Sequence, residues 1–410
     1  MIPIPGNYSS DRGSIPPPGT LRLFHQSHPL AGEVPNAILS IPDDLLIYLT
    51  GVLRDIPSPP PRVSSNDWNN LLSLLRSHWI IPLVAATVAA WPEEYRPPPA
   101  VLSDLRQARL SGKARTILTG RQCSTIISAL QEAGIPVLLI KGPALARTLY
   151  SDPSLRQSSD IDLLVKPRDF ERCEEVMADL GYTTTARTFR ISRHAFHHQA
   201  FLPHGPGVLT EIHWNPDFGF NFFAASWVDA AFDHKIAVSA QDLSFETMSP
   251  VDHLLYLVFH NMIQHNHVRL DWIGDIARLS RQLHAPEDWE TLLSQSVQCH
   301  LRIPLELALQ EAGLWMGSAL PHPYSDPATW PEPSPRERRL WKYAITQETS
   351  RRSLMHLHLE GLPGIREKVD YCYRLIIPPA HLMTKYRSNR SSLDIPAAHV
   401  RRWISIVKCL

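Results

Sequence analysis

Apolar positions along this chain recur with two different periods. In "DWNNLLSLLRSHWIIPLVAATVAAW" and "LRQARLSGKARTILTGRQCSTIISALQEAGI" they return every three or four residues, the spacing of an amphipathic helix, and Gly134 and Pro136 supply the stop signal. Between Val137 and about Asp233 the period shortens. Compact runs "VLLI", "IDLLV" and "VLTEIHW" read as strands, separated by the helix-like "ALARTLY" and "DFERCEEVMADLGY". From Pro250 the helical period resumes through "VDHLLYLVFHNMIQH", "DWIGDIARLSRQL" and "DWETLLSQSVQCHLRIPLELALQEAGL". This sequence of patterns predicts an α+β architecture, a small mixed β-sheet core flanked by N-terminal and C-terminal helical regions. The expected boundaries are a poorly ordered Pro-rich tail over residues 1–40, helices over 41–135, the α/β core over 136–235 and helices over 236–410.

Two Asp-Trp pairs repeat with the same downstream order, Asp67-Trp68 before His78 and Pro82, and Asp288-Trp289 before His300 and Pro304. Each reads as a helix start with Asp as N-cap and Trp in the first turn, and Asp271 reads as another N-cap. The histidines after each pair belong to packing.

Composition removes several classes of function. With 40 basic and 40 acidic residues the formal net charge is zero, so no global field favours nucleic acid or anionic lipid. The apolar run from Trp79 to Trp91 is too short to span a bilayer and contains Pro82, so no membrane span is expected. The N-terminus lacks the basic start and apolar core of a secretory signal. Five scattered cysteines form neither a CxxC pair nor a disulfide framework, which fits a reducing cytoplasm.

The chemistry concentrates in "LLIKGPALARTLYSDPSLRQSSDIDLLV". Asp160 and Asp162 lie two apart on a strand, so they share a face with Leu164 while Ile161, Leu163 and Val165 take the other. Two carboxylates roughly 7 Å apart along a strand repel unless a cation lies between them. Oxygen ligands with no His or Cys in the same run suit Mg²⁺ or Mn²⁺ better than zinc. The competing structural reading is a half-exposed strand with a wet polar face. Upstream, the strand "VLLI" ends at Lys141-Gly142, and Pro143 stands where a helix would begin, at its first position. A strand, a glycine turn and a helix N-terminus make a phosphate cradle to which Lys141 adds charge; the plain alternative is a tight turn with a surface lysine. Arg156 is within reach of a phosphate, or of a carboxylate partner.

In "VLTEIHW", Glu211 alternates with Leu209 and His213 on one face, a further acid in a strand. The stretch "HHQAFLPHGPGVLTEIHW" reads as a hairpin around Gly205 and Gly207, with His197 and His198 either lining the cleft or facing solvent. His260, His265 and His267 lack the i, i+4 spacing of two zinc ligands on one helix. Asp275, one turn after Asp271, is placed to face the cleft.

Taken together, "KGPALARTLY…LRQSSDIDLLV", "LGY", "TEIHW" and "DWIGDIARL" resemble the uncharacterised nucleotidyltransferase family within the polymerase-beta-like nucleotidyltransferase superfamily. The resemblance covers most of the chain from about Asn66 and is strongest from Val137 to Trp214. It implies that Asp160, Asp162 and Glu211 are catalytic and hold Mg²⁺ (or Mn²⁺); beside that, the strand–turn–helix pattern makes Lys141, Gly142 and Arg156 the candidates for binding nucleotide, and His213 and Asp275 candidates for supporting the site. It also implies a nucleoside triphosphate donor, a small-molecule or peptide acceptor and release of pyrophosphate. The superfamily usually has Gly-Ser where this chain has Lys141-Gly142, so the donor phosphate would meet Lys141 or backbone amides instead. The alternatives are a catalytically inactive nucleotide- or partner-binding module and a related group transfer in a biosynthetic pathway.

Overall fold

The long apolar stripe that follows Pro98 forms one continuous helix, and that helix connects the two halves of the molecule. The computed structural model describes residues 41–184, 197–217, 222–224, 226–265, 269–346, 356–357, 359–362 and 364–376. The expected tail at 1–40, His267 and the segment after 376 lie outside the described residues. Helices α1 (Asp43–Arg54), α2 (Ser65–Ser77) and α3 (Ile81–Ala90) precede α4 (Pro99–Glu132). With a rise of 1.5 Å per residue, α4 is about 50 Å long. Its first turns place Val101, Leu102 and Leu105 in a core built by helices from both ends of the chain. Its last turns place Cys123, Ile126, Ile127 and Leu130 against the sheet.

Strand β1 (Val137–Ile140) leads into α5 (Lys141–Leu149), and β2 (Asp160–Val165) into α6 (Phe170–Asp179). Strands β3 (Tyr182–Thr184), β4 (His198–Pro203) and β5 (Leu209–His213) complete a five-stranded sheet of order β1-β2-β5-β4-β3. The β2–β5 pair is parallel and the others antiparallel, so the sheet is mixed as the pattern predicts, and β4–β5 is the predicted hairpin. Alternation along the strands sorts side chains into two cores. Val137, Leu139, Ile161, Leu163, Val165 and Ile212 pack against α4 and α6. Leu138, Ile140 and Leu164 face the opposite way, toward aromatic residues of the later helices.

Helix α7 (Trp227–Asp233) is followed by a second sheet, the hairpin β6 (Ile236–Ser239) and β7 (Ser244–Thr247), where helical structure was expected. Its inward residues Leu243 and Phe245 extend the α4 side of the core. Next come α8 (Pro250–Phe259), a wider π-type turn over His260–Gln264, α9 (Leu270–Ser280), α10 (Pro286–Gln298), α11 (Arg302–Met316), α12 (Pro335–Thr346) and α13 (Ile365–Ile376). Among the described residues no helix is long and apolar enough to cross a membrane.

Three helix-start expectations need correction. Ser64, not Asp67, is the N-cap of α2; Asp67 lies three residues on and accepts from the Ser64 amide at 3.0 Å, completing a capping box. Asp288 likewise reaches back to the Ala285 amide at 3.2 Å. Asp271 is inside α9, whose N-cap is Arg269, and its carboxylate is held by the Arg269 guanidinium at 2.6 Å. In each case the acid sits in the first turn, where the exposed amides and the helix dipole favour it.

The two ends of α4 set a contrast in stability. Leu130 is fully buried between helix and sheet, whereas Leu110 on the same helix is 69% exposed. Leu130→Ala should lower unfolding free energy by about 2–5 kcal/mol, and Leu110→Ala by less than about 0.5 kcal/mol, read from urea unfolding of the two variants.

Candidate functional site

Parallel pairing of β2 with β5 brings acids fifty residues apart in sequence into line. Asp162 is paired in register with Glu211, Leu164 with His213, and Asp160 with Leu209, so all point to one face of the sheet. Antiparallel pairing of β4 places His198 opposite His213 on the same face. Oxygen and nitrogen atoms of Asp162, Glu211 and His213 lie within 4.8 Å of one another, while Asp160 stands at the strand's entrance beside them.

Asp162 is the most deeply held of the acids. It is 2% exposed, its Oδ1 accepting from Lys141 Nζ at 2.7 Å and from His213 Nε2 at 2.9 Å. Burial opposes its charge, but the Lys141 ammonium and the His213 hydrogen bond outweigh that and hold its carboxyl well below the usual range. Burial likewise opposes the charge of Lys141, and Asp162, Tyr256 and Glu211 outweigh it to raise its pKa. Glu211 is lowered by the hydrogen bond from His213 despite burial, its Oε2 lying 3.5 Å from His213 Nε2 and its Oε1 3.6 Å from His198 Nε2. Asp160 behaves in the opposite way. Burial and the Asp162 charge push it up to about 6, against the opposing pull of Lys141.

The β1–α5 turn is built differently from the sequence expectation. Lys141 itself adopts the left-handed backbone (φ 51) as α5 begins, and Pro143 occupies the third helical position rather than the first. The Lys141 amide donates to His253 Nε2 at 3.1 Å, which fixes the strained residue and directs its side chain to Asp162. Gly142 is required because a Cβ there would lie 2.3 Å from Ser158 Oγ. Ser158 in turn donates to the Asp160 carbonyl at 2.6 Å, so the glycine lets the loop before β2 settle onto the helix start.

Arg156 and Asp275 form a separate buried group. Arg156 contacts Asp275 Oδ2 at 2.9 Å and lies 3.9 Å from Asp271, while Tyr150 donates to Asp275 Oδ1 at 2.8 Å. Asp275 therefore supports Arg156, beside Gly142, and not the strand carboxylates. His197 and His198 are on the sheet's polar face: His198 Nδ1 is 2.8 Å from His197 Nε2, and Gln264 Nε2 is 3.1 Å from the same His197 nitrogen. The sequence reading missed His253, Tyr256 and Gln264. A signal existed, because His253, Tyr256 and His260 recur at i, i+3 and i+7 along an otherwise apolar helix.

The donor set fits a divalent cation. Asp160 is half-buried at the strand's entrance, and Asp162 and Glu211 converge beside it. Neighbouring strands also supply imidazoles that the Asp-x-Asp run lacks, which makes the environment softer than the run alone implied.

The family described as "Uncharacterised nucleotidyltransferase" matches residues 64–317. No curated protein matches the chain. Among solved structures, the crystal structure of an antigenic nucleotidyltransferase-like protein from Paracoccidioides brasiliensis is similar over 47% of this chain and 91% of that chain, at 16% identity and a TM-score of 0.29.

Asp160 generates a pH-dependent stability difference. Its folded pKa of about 6 exceeds the ordinary aspartate value, so the folded state binds more protons between roughly pH 4 and 6 and loses stability as pH rises through that window. In chelator, Asp160→Asn should match wild type near pH 4 and exceed it by about 1–2 kcal/mol at pH 7, after allowance for solvent access to the strand's entrance. Urea unfolding at the two pH values checks the sign.

Proposed function

The chain belongs to the uncharacterised nucleotidyltransferase family, and from that premise we propose that it moves a nucleoside monophosphate from a nucleoside triphosphate to a hydroxyl of a small-molecule or peptide acceptor, with release of pyrophosphate. The observation that carries this reading is the in-register pairing of Asp162 with Glu211 on adjacent parallel strands, with Asp160 two residues along on the same face. Three carboxylates from two strands can surround a cation from more than one direction, which a single strand cannot do. Asp160, Asp162 and Glu211 would hold Mg²⁺ or Mn²⁺. Such an ion supplies charge neutralisation at the attacked phosphate and at the departing pyrophosphate.

The chain's own groups do the positioning. His213 links the two acids, its Nε2 lying 2.9 Å from Asp162 and 3.5 Å from Glu211. Lys141 neutralises Asp162 while no phosphate is bound, and its ammonium would be free to turn toward the donor's phosphates once a cation takes over that carboxylate. The loop from Arg156 to Ser158 packs on Gly142 and brings a guanidinium to the start of α5. Pro143, Ala146 and Arg147 of that helix line a small surface cleft together with Gly112, Arg115 and Ser158.

Pyrophosphate release should be followed for each nucleoside triphosphate with Mg²⁺ or Mn²⁺. Glu211→Gln and Asp162→Asn should each reduce turnover by a factor of 10² or more while leaving the circular dichroism unchanged. Nucleotide binding without any pyrophosphate release would favour the inactive binding module, and wild-type turnover in either variant would overturn the carboxylate assignment. Lys141→Met is a poor probe of phosphate binding alone. It leaves the buried Asp162 carboxylate short of its closest cation and should lower stability by about 3–5 kcal/mol, measurable by urea unfolding.

A further inference from the structure

We infer that His197, His198 and His213 form a cation site adjoining the carboxylate site and sharing His213 with it, selective for a borderline first-row divalent ion of the Zn²⁺ class and filled without nucleotide. The inference goes beyond nucleotidyl transfer and stands without it.

The sheet supplies the scaffold. His198 and His213 are register partners on β4 and β5 and therefore project from the same face. His197, just before β4, is anchored through its carbonyl, which accepts from the amides of Trp214 at 3.0 Å and Asn215 at 3.4 Å. The three residues each offer a nitrogen within 4.8 Å of the others, with His197 and His213 buried and His198 half-buried. Ring centroids are 4.3 Å apart for His197–His198, 5.1 Å for His198–His213 and 5.7 Å for His197–His213. Nitrogens around tetrahedral zinc lie roughly 3.3 Å apart, so side-chain rotations of about 1 Å close the set.

The chemistry of the rings points the same way. His197 and His198 meet through their ring nitrogens, His197 buried and His198 half-buried. Their 2.8 Å nitrogen–nitrogen contact holds one proton, which an entering cation would displace to solvent. His213 pairs through Nε2 with the Asp162 carboxylate, the backing that orients metal-bound imidazoles and raises their basicity. The ring's other nitrogen, Nδ1, is buried with no hydrogen-bond partner. Neutral imidazoles favour zinc, iron, cobalt and nickel over magnesium, which keeps its oxygen ligands and water. His213 also belongs to the Asp162–Glu211 group, so an ion on the imidazoles adds positive charge directly behind the proposed catalytic acids.

The test uses the purified full chain, stripped with chelator and titrated with Co²⁺ and then Zn²⁺ in the absence of nucleotide. Wild type should bind one equivalent of Co²⁺ with the intense visible bands of low-coordinate cobalt; Zn²⁺ should bleach them, and a large excess of Mg²⁺ should not. His197→Gln and His198→Gln should each weaken Co²⁺ binding about 10-fold or more, while Asp160→Asn should retain the bands. Only weak, octahedral-type cobalt spectra, or unchanged affinity in both Gln variants, would overturn the site. A chain that binds Co²⁺ in this way yet transfers no nucleotide would support the imidazole site and remove the earlier reading, so the two fail separately.

Discussion

A carboxylate in the middle of a buried strand must be neutralised, and the architecture around Asp162 is organised to do that. An isolated ionised group there would be driven to protonate, since desolvation of a charge in a protein interior amounts to several kcal/mol. Asp162 stays ionised because Lys141 and His213 approach it from two sides, one from the end of β1 and one from β5. Each of those partners is constrained in turn. Lys141 accepts a left-handed backbone that His253 pins from α8, and His213 is locked by the β4–β5 pairing. Removal of any one member leaves another buried charge or dipole unsatisfied.

A second buried network ties the site to the helical part of the molecule. Arg156 joins the loop before β2 to Asp275 and Asp271 of α9, and Tyr150 at the end of α5 completes it. Because the same loop seats Ser158 on Gly142, the position of the Asp160 strand entrance is set jointly by the sheet and by α9. The core shared by α1–α4 and α8–α11 then works as the rigid wall behind that entrance. At that entrance, burial and the neighbouring Asp162 charge make Asp160 harder to ionise.

Across the polar face the groups alternate in character. Lys141, Asp162, His213, Glu211, His198, His197 and Gln264 follow one another at separations from 2.7 to 3.6 Å. The acidic end suits hard cations and phosphate chemistry; the imidazole end suits softer ions. His213 belongs to both, so occupancy at one end alters the field at the other over a few ångströms in a medium of low effective dielectric.

The sequence by itself determined the element types, the two-faced strand with Asp160 and Asp162, and Glu211 as a strand acid, because alternation and helical period are local consequences of backbone geometry. It also carried the family through an ordered set of motifs spread from Lys141 to Leu279. What lay beyond its reach depended on register and partner choice. Asp67, Asp271 and Asp288 were legible as first-turn acids but not as to position, since one residue separates an N-cap from the turn it caps. The β6–β7 hairpin was hidden because each of its strands is only four residues long, too short to reveal a period. Lys141 could be placed at the strand end, yet only the folded chain shows that its first partner is Asp162, and Arg156 likewise finds α9 more than a hundred residues away. The histidine cluster exists only after β4 and β5 pair, since a one-residue slip would send His198 and His213 to opposite faces; it is long-range strand register, not local pattern, that decides which side chains share a site.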